Sequence, residues 1–347
     1  MKEAIVSAGP KVQIIESSIP EPGPEQLVIQ VVVSGSNPKD WKAGEIFGKD
    51  GNIGDDIAGI VHSVGSNVYE FKPGDRVASF HELFAPNGSF AEYAVGWQHT
   101  TFHIPKNVSF EEASTLPLAV MTAAIGLHPR LGLPLPWAPA TEPIPLVVYG
   151  GASAVGAFAI KLAVRANIHP IIAVAGRATS FVESLIDRSK GDTIIDYRSG
   201  DEAVVKGIKD ALKGAALLHA FDATAEKGSY TNIIEVLDPN GKLTLVLPAP
   251  DGAIPKTITS SWTSVGDSHG PGEVAGLIIG DQRDFAHVYY RYLARGLAQG
   301  WFKPHPLEVV PGGLEGIQKG LTSLKEGKAS GFKYVFRIAD TPGVKGV

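Results

Sequence analysis

The chain has 347 residues, a length that accommodates two domains of ordinary size. Its net charge of −5, without any run of like charges, gives no general attraction to nucleic acid or to an anionic membrane. The absence of cysteine excludes disulfides, thiolate nucleophiles and cysteine-ligated zinc or iron–sulfur sites. Neither a membrane span nor a signal peptide is visible, so we expect a cytoplasmic protein that binds neither membrane nor nucleic acid.

The first third of the chain is predicted to be rich in β-strands, because short apolar runs alternate with Pro/Gly turns. The predicted strands are Val12–Ile15, Leu27–Val33, Ile57–Val64, Arg76–Phe80 and Phe90–Val95. The first two flank a Pro/Gly turn at 20–24, which predicts a hairpin, and the next two bracket a second turn at 72–75. The pattern indicates a barrel-like module.

The pattern changes near Ser109, which forms a predicted capping box with Glu112 and so begins a helix. Residues 131–145 contain five prolines, which excludes helix and central strand and predicts a loop. Beyond this loop, apolar strands alternate with helices, as in a parallel sheet covered on both faces. These strands are Leu146–Tyr149, Ile171–Ala175, Thr193–Tyr197, Leu217–Asp222 and Lys242–Leu247.

The predicted fold class is therefore α/β, with a β-barrel module and a doubly wound Rossmann domain. We assign residues 1–118 and 303–347 to the barrel and residues 119–302 to the nucleotide-binding domain. The segment from residue 303 is too short for a domain of its own, so we expect it to return to the N-terminal module.

A glycine-rich turn joins the first strand of the Rossmann domain to a helix, the context that a dinucleotide-binding motif requires. Gly151 is expected to permit the tight turn and Gly156 to let the helix pack closely on the strand. Ser153 replaces the middle glycine of the G-x-G-x-x-G pattern. Backbone amides at the helix start would face a pyrophosphate, although a plain strand–helix turn has a similar pattern. The candidate cofactor-binding residues here are Gly151, Ala152, Ser153, Ala154, Val155 and Gly156.

The end of the following strand indicates which nucleotide binds. An NAD site places an acid about 20 residues after the last glycine, where it holds the ribose 2′-hydroxyl. This chain has Gly176 there, followed by Arg177 and Thr179. A guanidinium beside hydroxyl groups suits a 2′-phosphate, so we predict NADPH as the cofactor. The alternative for Arg177 is a solvated loop residue.

Several ordered motifs resemble those of medium-chain dehydrogenases/reductases along nearly the whole chain. They are Asn37-Pro38-Lys39-Asp40, Gly54-Asp55-Asp56-Ile57-Ala58-Gly59, Gly88-Ser89-Phe90-Ala91-Glu92-Tyr93 and Lys328-Ala329-Ser330-Gly331-Phe332-Lys333. The resemblance implies a GroES-like β-barrel domain, a Rossmann domain and a nicotinamide-dependent oxidoreductase.

Two features of the sequence argue against a metal-binding site. Zinc-dependent members of this superfamily carry Gly-His-Glu where this chain has Asp55-Asp56, and the chain has no cysteine. The remaining histidine pair, His99 and His103, lies in strand-like sequence, which would separate the two by ~13 Å. We therefore predict no metal site and a zinc-independent reaction.

Within the zinc-less branch, the chain is most similar to fungal trans-acting enoyl reductases and ToxD-like proteins. The segments that carry this similarity are Gly132-Leu133-Pro134-Leu135-Pro136, Val148-Tyr149-Gly150-Gly151 and Asp196-Tyr197-Arg198. Quinone oxidoreductases are the next neighbours.

The resemblance also implies roles for single residues. Lys42 and Thr122 are the implied catalytic candidates, Tyr197 lies on the adenine side, and Leu247 and Lys333 complete the cofactor set. An exposed lysine, a packed helix threonine and core packing are the alternatives for Lys42, Thr122 and Tyr197. We assign no general acid.

The sequence thus predicts a zinc-independent, NADPH-dependent reductase of activated C=C bonds. Its substrate would be a small-molecule or carrier-tethered enoyl compound, such as a polyketide intermediate. A quinone oxidoreductase-like reductase and a non-catalytic NADPH-binding protein are the alternatives. The oligomeric state stays open between monomer and homodimer.

Overall fold

The computed structural model describes residues 1–274 and 277–346. The chain divides into two compact units: Met1–Met121 with Gly266–Val347, and Thr122–Val265. In the described residues, no helix combines the length and the apolar character needed to cross a membrane.

In the described residues, most of the first unit's strands follow one another directly, whereas strands and helices alternate through most of the second unit. The strands are β1 (Lys2–Ser7), β2 (Lys11–Glu16), β3 (Gln26–Gly35), β4 (Asp56–Val64), β5 (Arg76–Phe80), β6 (Tyr93–Trp97), β7 (Thr101–His103), β8 (Leu146–Tyr149), β9 (Ile171–Ala175), β10 (Thr193–Asp196), β11 (His219–Asp222), β12 (Lys242–Leu245), β13 (Thr259–Trp262), β14 (Gly272–Val274), β15 (Leu277–Ile279), β16 (Leu307–Val309) and β17 (Lys333–Arg337). The helices are α1 (Pro38–Phe47), α2 (Phe110–Ala113), α3 (Pro117–Ile125), α4 (Ala154–Arg165), α5 (Thr179–Glu183), α6 (Asp201–Leu212), α7 (Ser229–Ile234), α8 (Arg283–Gln299) and α9 (Ile317–Lys325).

The first unit is built on a mainly antiparallel sheet with the strand order β16-β17-β3-β4-β5-β7, and β6 also pairs with β3. Strand β17 pairs antiparallel with β3, so the C-terminal segment joins the N-terminal sheet. Apolar side chains from these strands, from neighbouring helices and from loops form one core, in which the loop residue Phe90 meets Phe336 edge to face with ring centroids 5.8 Å apart. Burial of this cluster stabilises the unit.

One predicted hairpin is wrong and another is confirmed. Strand β2 pairs with β1, from Lys2 opposite Glu16 to Ser7 opposite Lys11, and not with β3. Strand β3 instead lies inside the sheet, where it pairs with β4, β6 and β17. The prediction failed because it lacked β1, the strand directly before β2 in the chain, and because β3 pairs with strands that follow it. The hairpin of β4 and β5 forms as predicted.

The second unit contains a six-stranded sheet in the order β10-β9-β8-β11-β12-β13, and every pair in it is parallel. This confirms the α/β class and the Rossmann sheet. All residues of β8 and β9 are buried, which explains their uninterrupted apolar sequence. Register places the carboxyl ends of β8, β9, β10 and β11 along one edge of the sheet.

Helix α8 packs within the first unit. The Tyr290 hydroxyl donates to the carbonyl oxygen of Pro117 at 2.8 Å, and its ring stacks on Phe102 with centroids 5.4 Å apart. In the predicted division, these residues belong to the 119–302 segment. The capping box is confirmed: the Ser109 hydroxyl accepts from the Glu112 amide at 3.1 Å.

The aromatic pair in the first core generates a stability prediction. Phe336→Ala removes a fully buried ring and is expected to lower the free energy of unfolding by about 3–5 kcal/mol, through lost transfer free energy and the remaining cavity. Guanidinium denaturation followed by tryptophan fluorescence measures this loss. The control Val288→Ala, at an exposed position of the same unit, is expected to cost less than about 0.5 kcal/mol. Equal losses for the two variants would contradict the assignment of Phe336 to the core.

Candidate functional site

The glycine-rich loop leaves β8 through a left-handed turn at Gly150, which has a φ of 78°. The amides of Gly150 and Gly151 both donate to the Val174 carbonyl oxygen, at 3.0 and 2.9 Å. The motif predicted the tight turn at Gly151, and this is wrong by one residue. Gly151 is needed for close packing instead, because a Cβ there would lie 3.2 Å from Ile160 and 3.3 Å from Ala173.

Ser153 begins helix α4 as its N-cap, and its hydroxyl oxygen accepts from the Gly156 amide at 3.0 Å. The absence of a side chain at Gly156 is essential, because a Cβ there would lie 2.2 Å from the Gly150 carbonyl oxygen. Ala152, Ala154 and Val155 are only half-buried. The first amides of a helix have no intrahelical acceptor and attract anions. The loop therefore has the shape and polarity of a pyrophosphate cradle.

Three predicted residues come together at the carboxyl end of β9. A Cβ at Gly176 would lie 2.6 Å from the Tyr197 ring, so that ring packs directly on the Gly176 backbone. The Thr179 hydroxyl donates to the Gly176 carbonyl oxygen at 2.5 Å. Arg177 is exposed, and Tyr197 is 46% exposed. Leu247 is half-buried and lies two residues past the end of β12, which is shorter than predicted.

In the first unit, Asp56 organises a buried polar cluster. One carboxylate oxygen accepts from Asn37 Nδ2 at 2.7 Å and pairs with the Lys333 ammonium, and the other accepts from the Leu118 amide at 2.7 Å. Lys333 Nζ also donates to Asn37 Oδ1 at 3.1 Å. The structure thus places the ammonium of Lys333, a predicted cofactor residue, inside this cluster.

A second buried ion pair lies next to the first. Lys39 Nζ is 2.6 Å from an Asp55 carboxylate oxygen and 3.5 Å from Asp40, and Asp55 and Asp40 are fully buried. Burial raises the pKa of Asp55, and it raises that of Asp40 to about 7 although the Lys39 ammonium opposes the shift. Burial disfavours the charge on Lys39, but Asp55 and Asp40 outweigh it and raise the pKa of the ammonium. Lys39 was not among the predicted site residues, although it stands next to the acid of the Asn37-Pro38-Lys39-Asp40 motif.

The two catalytic candidates lie in different units. Lys42 is buried in α1, with Nζ 5.3 Å from the centre of the Trp41 ring. Thr122 is buried in α3.

The histidine pair that the sequence placed in one strand is arranged differently. A 3-10 turn at Gln98–Thr100 contains His99, and His103 ends β7. The expected single strand is wrong because the Thr100 and Thr101 side chains form hydrogen bonds back to the Trp97 carbonyl and close the turn. Within residues 1–274 and 277–346, no group of three or more His, Asp or Glu side chains is arranged to hold a metal ion.

Comparison with known proteins identifies the family. Residues 23–106 match the alcohol dehydrogenase GroES-like domain. The chain is 49% identical to the trans-enoyl reductase fsr4 of Gibberella fujikuroi over 91% of this chain and 92% of that protein. It is 28% identical to lovC of Aspergillus terreus, the enoyl reductase component of lovastatin nonaketide synthase, over 90% of this chain and 89% of that protein.

A solved structure with the same fold is an alcohol dehydrogenase superfamily protein from Novosphingobium aromaticivorans. It has a TM-score of 0.77 at 21% identity and covers 97% of this chain and 99% of that chain. The chain belongs to the trans-enoyl reductase family of medium-chain dehydrogenases/reductases, which confirms the resemblance found in its motifs. Its fold implies a nicotinamide cofactor.

The close contact at Gly156 generates a second prediction. Gly156→Ala is expected to push α4 away from β8, which lowers the melting temperature and weakens nucleotide binding by at least about tenfold, because a Cβ meets the rigid Gly150 carbonyl. Differential scanning fluorimetry with and without nucleotide measures both effects. The matched control is Gly207→Ala in α6, where the added Cβ meets only the flexible Ile195 side chain. Unchanged nucleotide binding by Gly156→Ala would contradict the interpretation of this loop as a pyrophosphate cradle.

The raised pKa of Asp40 generates a pH prediction. Its pKa rises on folding from 3.8 to about 7, so the folded state binds the proton more tightly. The resulting stabilisation is complete below the unfolded pKa and is lost as the pH rises through about 7. We expect the free energy of unfolding to fall by about 1–2 kcal/mol between pH 5.5 and 8 on this account.

Asp40→Asn is expected to remove this part of the pH dependence of the free energy of unfolding, because an amide does not titrate. The local structure should be kept, since the amide oxygen can still accept from the Asn37 amide, as the Asp40 carboxylate does at 2.7 Å. Denaturation curves at several pH values measure the slope, and the exposed Asp50→Asn serves as the control. An identical slope in wild type and Asp40→Asn would show that Asp40 does not titrate in this range.

Proposed function

We propose that this protein is a zinc-independent, NADPH-dependent reductase that saturates the activated C=C bond of an enoyl substrate. Two features support the proposal: membership in the trans-enoyl reductase family and the acid-free end of β9 beside the phosphate cradle. The second is the observation on which the choice of nucleotide rests.

The residues of the second unit fit the proposed cofactor. Backbone amides at the start of α4 would hold the pyrophosphate, and Arg177 with Thr179 would hold the 2′-phosphate. Tyr197, half-exposed against Gly176, would flank the adenine. When bound, NADPH would supply a hydride to the electron-poor carbon, and a proton from water or a side chain would complete the reduction at the other carbon.

The first unit supports a reaction without zinc. Asp55 stands where zinc-dependent relatives carry a metal-binding histidine, and its carboxylate pairs with the Lys39 ammonium at 2.6 Å. The Lys333 ammonium pairs with the Asp56 carboxylate and donates to Asn37. We therefore propose that Lys333 contributes to the site by fixing the positions of these two side chains. Lys42 is proposed to polarise the substrate carbonyl and Thr122 to orient the reacting groups. No proton donor is assigned.

The relatives suggest the form of the substrate. Because lovC is named as a component of a polyketide synthase, we propose that this protein also accepts an enoyl thioester tethered to a carrier protein. The division into residues 1–118 with 303–347 and residues 119–302, a monomeric or homodimeric state and a cytosolic location stay predictions.

A single acceptor panel tests the proposed function. We expect NADPH consumption with an α,β-unsaturated thioester, weaker consumption with an enone, and none with a simple quinone or aldehyde, measured at 340 nm. Product analysis by mass spectrometry should show a gain of two hydrogens.

The controls are assays in the presence of a chelator and of added zinc, which should leave the rate unchanged. Activity with quinones alone would favour a quinone reductase. Binding of NADPH without oxidation by any acceptor would favour a non-catalytic protein, and a rate that depends on zinc would contradict zinc independence.

A further inference from the structure

We propose that Arg198 is a second specificity-determining cation for the adenosine 2′-phosphate. Asp196 forms an ion pair with Arg198 in the absence of the nucleotide, and the 2′-phosphate replaces Asp196 as the partner of Arg198 when NADPH binds. The inference rests on the proposed use of NADPH and adds a residue to that site. It is drawn from the second unit alone.

Geometry places Arg198 beside the predicted phosphate site. Strands β9 and β10 are parallel neighbours, with Asp196 in register with Ala175. Arg177 and Arg198 therefore each follow the carboxyl end of one of two adjacent strands by two residues. Neighbouring strands lie about 4.8 Å apart. The contact between the Tyr197 ring and the Gly176 backbone shows that the two segments stay adjacent beyond the strands.

Asp196 holds the Arg198 guanidinium at this edge. Its Oδ1 atom accepts from the Arg198 backbone amide and from Nε, both at 2.9 Å, and Oδ2 accepts from Nη2 at 2.5 Å. The first of these bonds closes the turn that carries Tyr197, and the other two orient the side chain. The next acid along the chain, Asp201, instead accepts from Asn232 at 2.9 Å.

In the ion pair between Arg198 and Asp196, a phosphate can replace the carboxylate. The Arg198 and Asp196 side chains are 52% and 34% exposed, and exposed pairs contribute little to stability because water screens them. A phosphate carries up to two negative charges and accepts the same two-pronged guanidinium contact more strongly than a carboxylate. A 2′-phosphate near Gly176 would therefore displace Asp196 from Arg198, whereas the neutral 2′-hydroxyl of NADH would not.

Fluorescence titrations with NADPH and NADH test the inference without requiring turnover. Arg198→Gln is expected to lower the preference for NADPH about 5- to 10-fold, mainly by weakening NADPH binding, because a charge-assisted contact is lost. Higher salt should reduce the preference of the wild type more than that of Arg198→Gln.

Asp196→Asn provides the sharper test. Its side-chain oxygen can still accept from the Arg198 amide and keep the turn, but the competing charge is gone. We expect NADPH to bind about 2- to 5-fold more tightly and NADH binding to stay unchanged. A purely structural role for the pair predicts weaker binding of both nucleotides.

The matched control is Arg188→Gln. Arg188 forms the same two-pronged contact with Glu183, at 2.8 and 2.5 Å, and has a similar exposed fraction of 51%. It lies at the opposite, amino end of β10, where it also contacts Thr193 at 3.1 Å. Arg188→Gln should therefore leave the nucleotide preference unchanged.

The outcomes separate this inference from the proposed function. A wild-type protein that prefers NADPH, with Arg198→Gln showing the same preference as Arg188→Gln, would overturn the role of Arg198 alone. Weaker NADPH binding by Asp196→Asn would contradict the proposal that the 2′-phosphate displaces Asp196 from Arg198. A wild type without preference for NADPH would overturn the nucleotide assignment and this inference together.

Discussion

The nucleotide-binding end of this protein depends on one close contact between backbone segments. Helix α4 starts directly against the end of β8, and the distance between them leaves no room for a Cβ at Gly156. The Gly150 turn and the Ser153 N-cap fix the direction in which the helix starts. The first amides of α4 consequently point out of a half-exposed loop, where an anion can reach them. The shape of the loop follows from this contact.

The first unit meets a different constraint, which is the cost of burying charge. Asp40, Asp55 and Asp56 have no exposed surface, and an unpaired carboxylate in that environment would be strongly destabilised. Lys39 and Lys333 offset this cost with ion pairs, and Asn37 and the Leu118 amide supply further hydrogen bonds to Asp56. The raised pKa of Asp40 shows that the compensation is incomplete. In this chain, lysine ammonium groups thus neutralise acids in a segment where zinc-dependent relatives place metal-binding residues.

Much of the fold was predictable because its signals are local. Strands β8 and β9 were predicted with their observed bounds, since strands buried on both faces of a parallel sheet read as short apolar runs. The Ser109 capping box and the proline-rich loop were equally clear, because hydrogen bonding and backbone dihedral limits act within a few residues. The pairing of β2 with β1 was missed because the turn at 20–24 indicated β3 as the partner of β2, whereas β3 pairs with β4, β6 and β17.

The sequence by itself determined the parallel sheet, the phosphate loop and the missing acid at Gly176, because these follow from residue types at short spacing. Tertiary structure alone decided that the left-handed turn is at Gly150 and not at Gly151, since the motif contains both glycines and either residue type permits such a turn. It alone paired Lys333 with Asp56, which are 277 residues apart, and Lys39 with Asp55. Such pairs form only when folding brings the two groups together, and sequence spacing contains no record of that proximity.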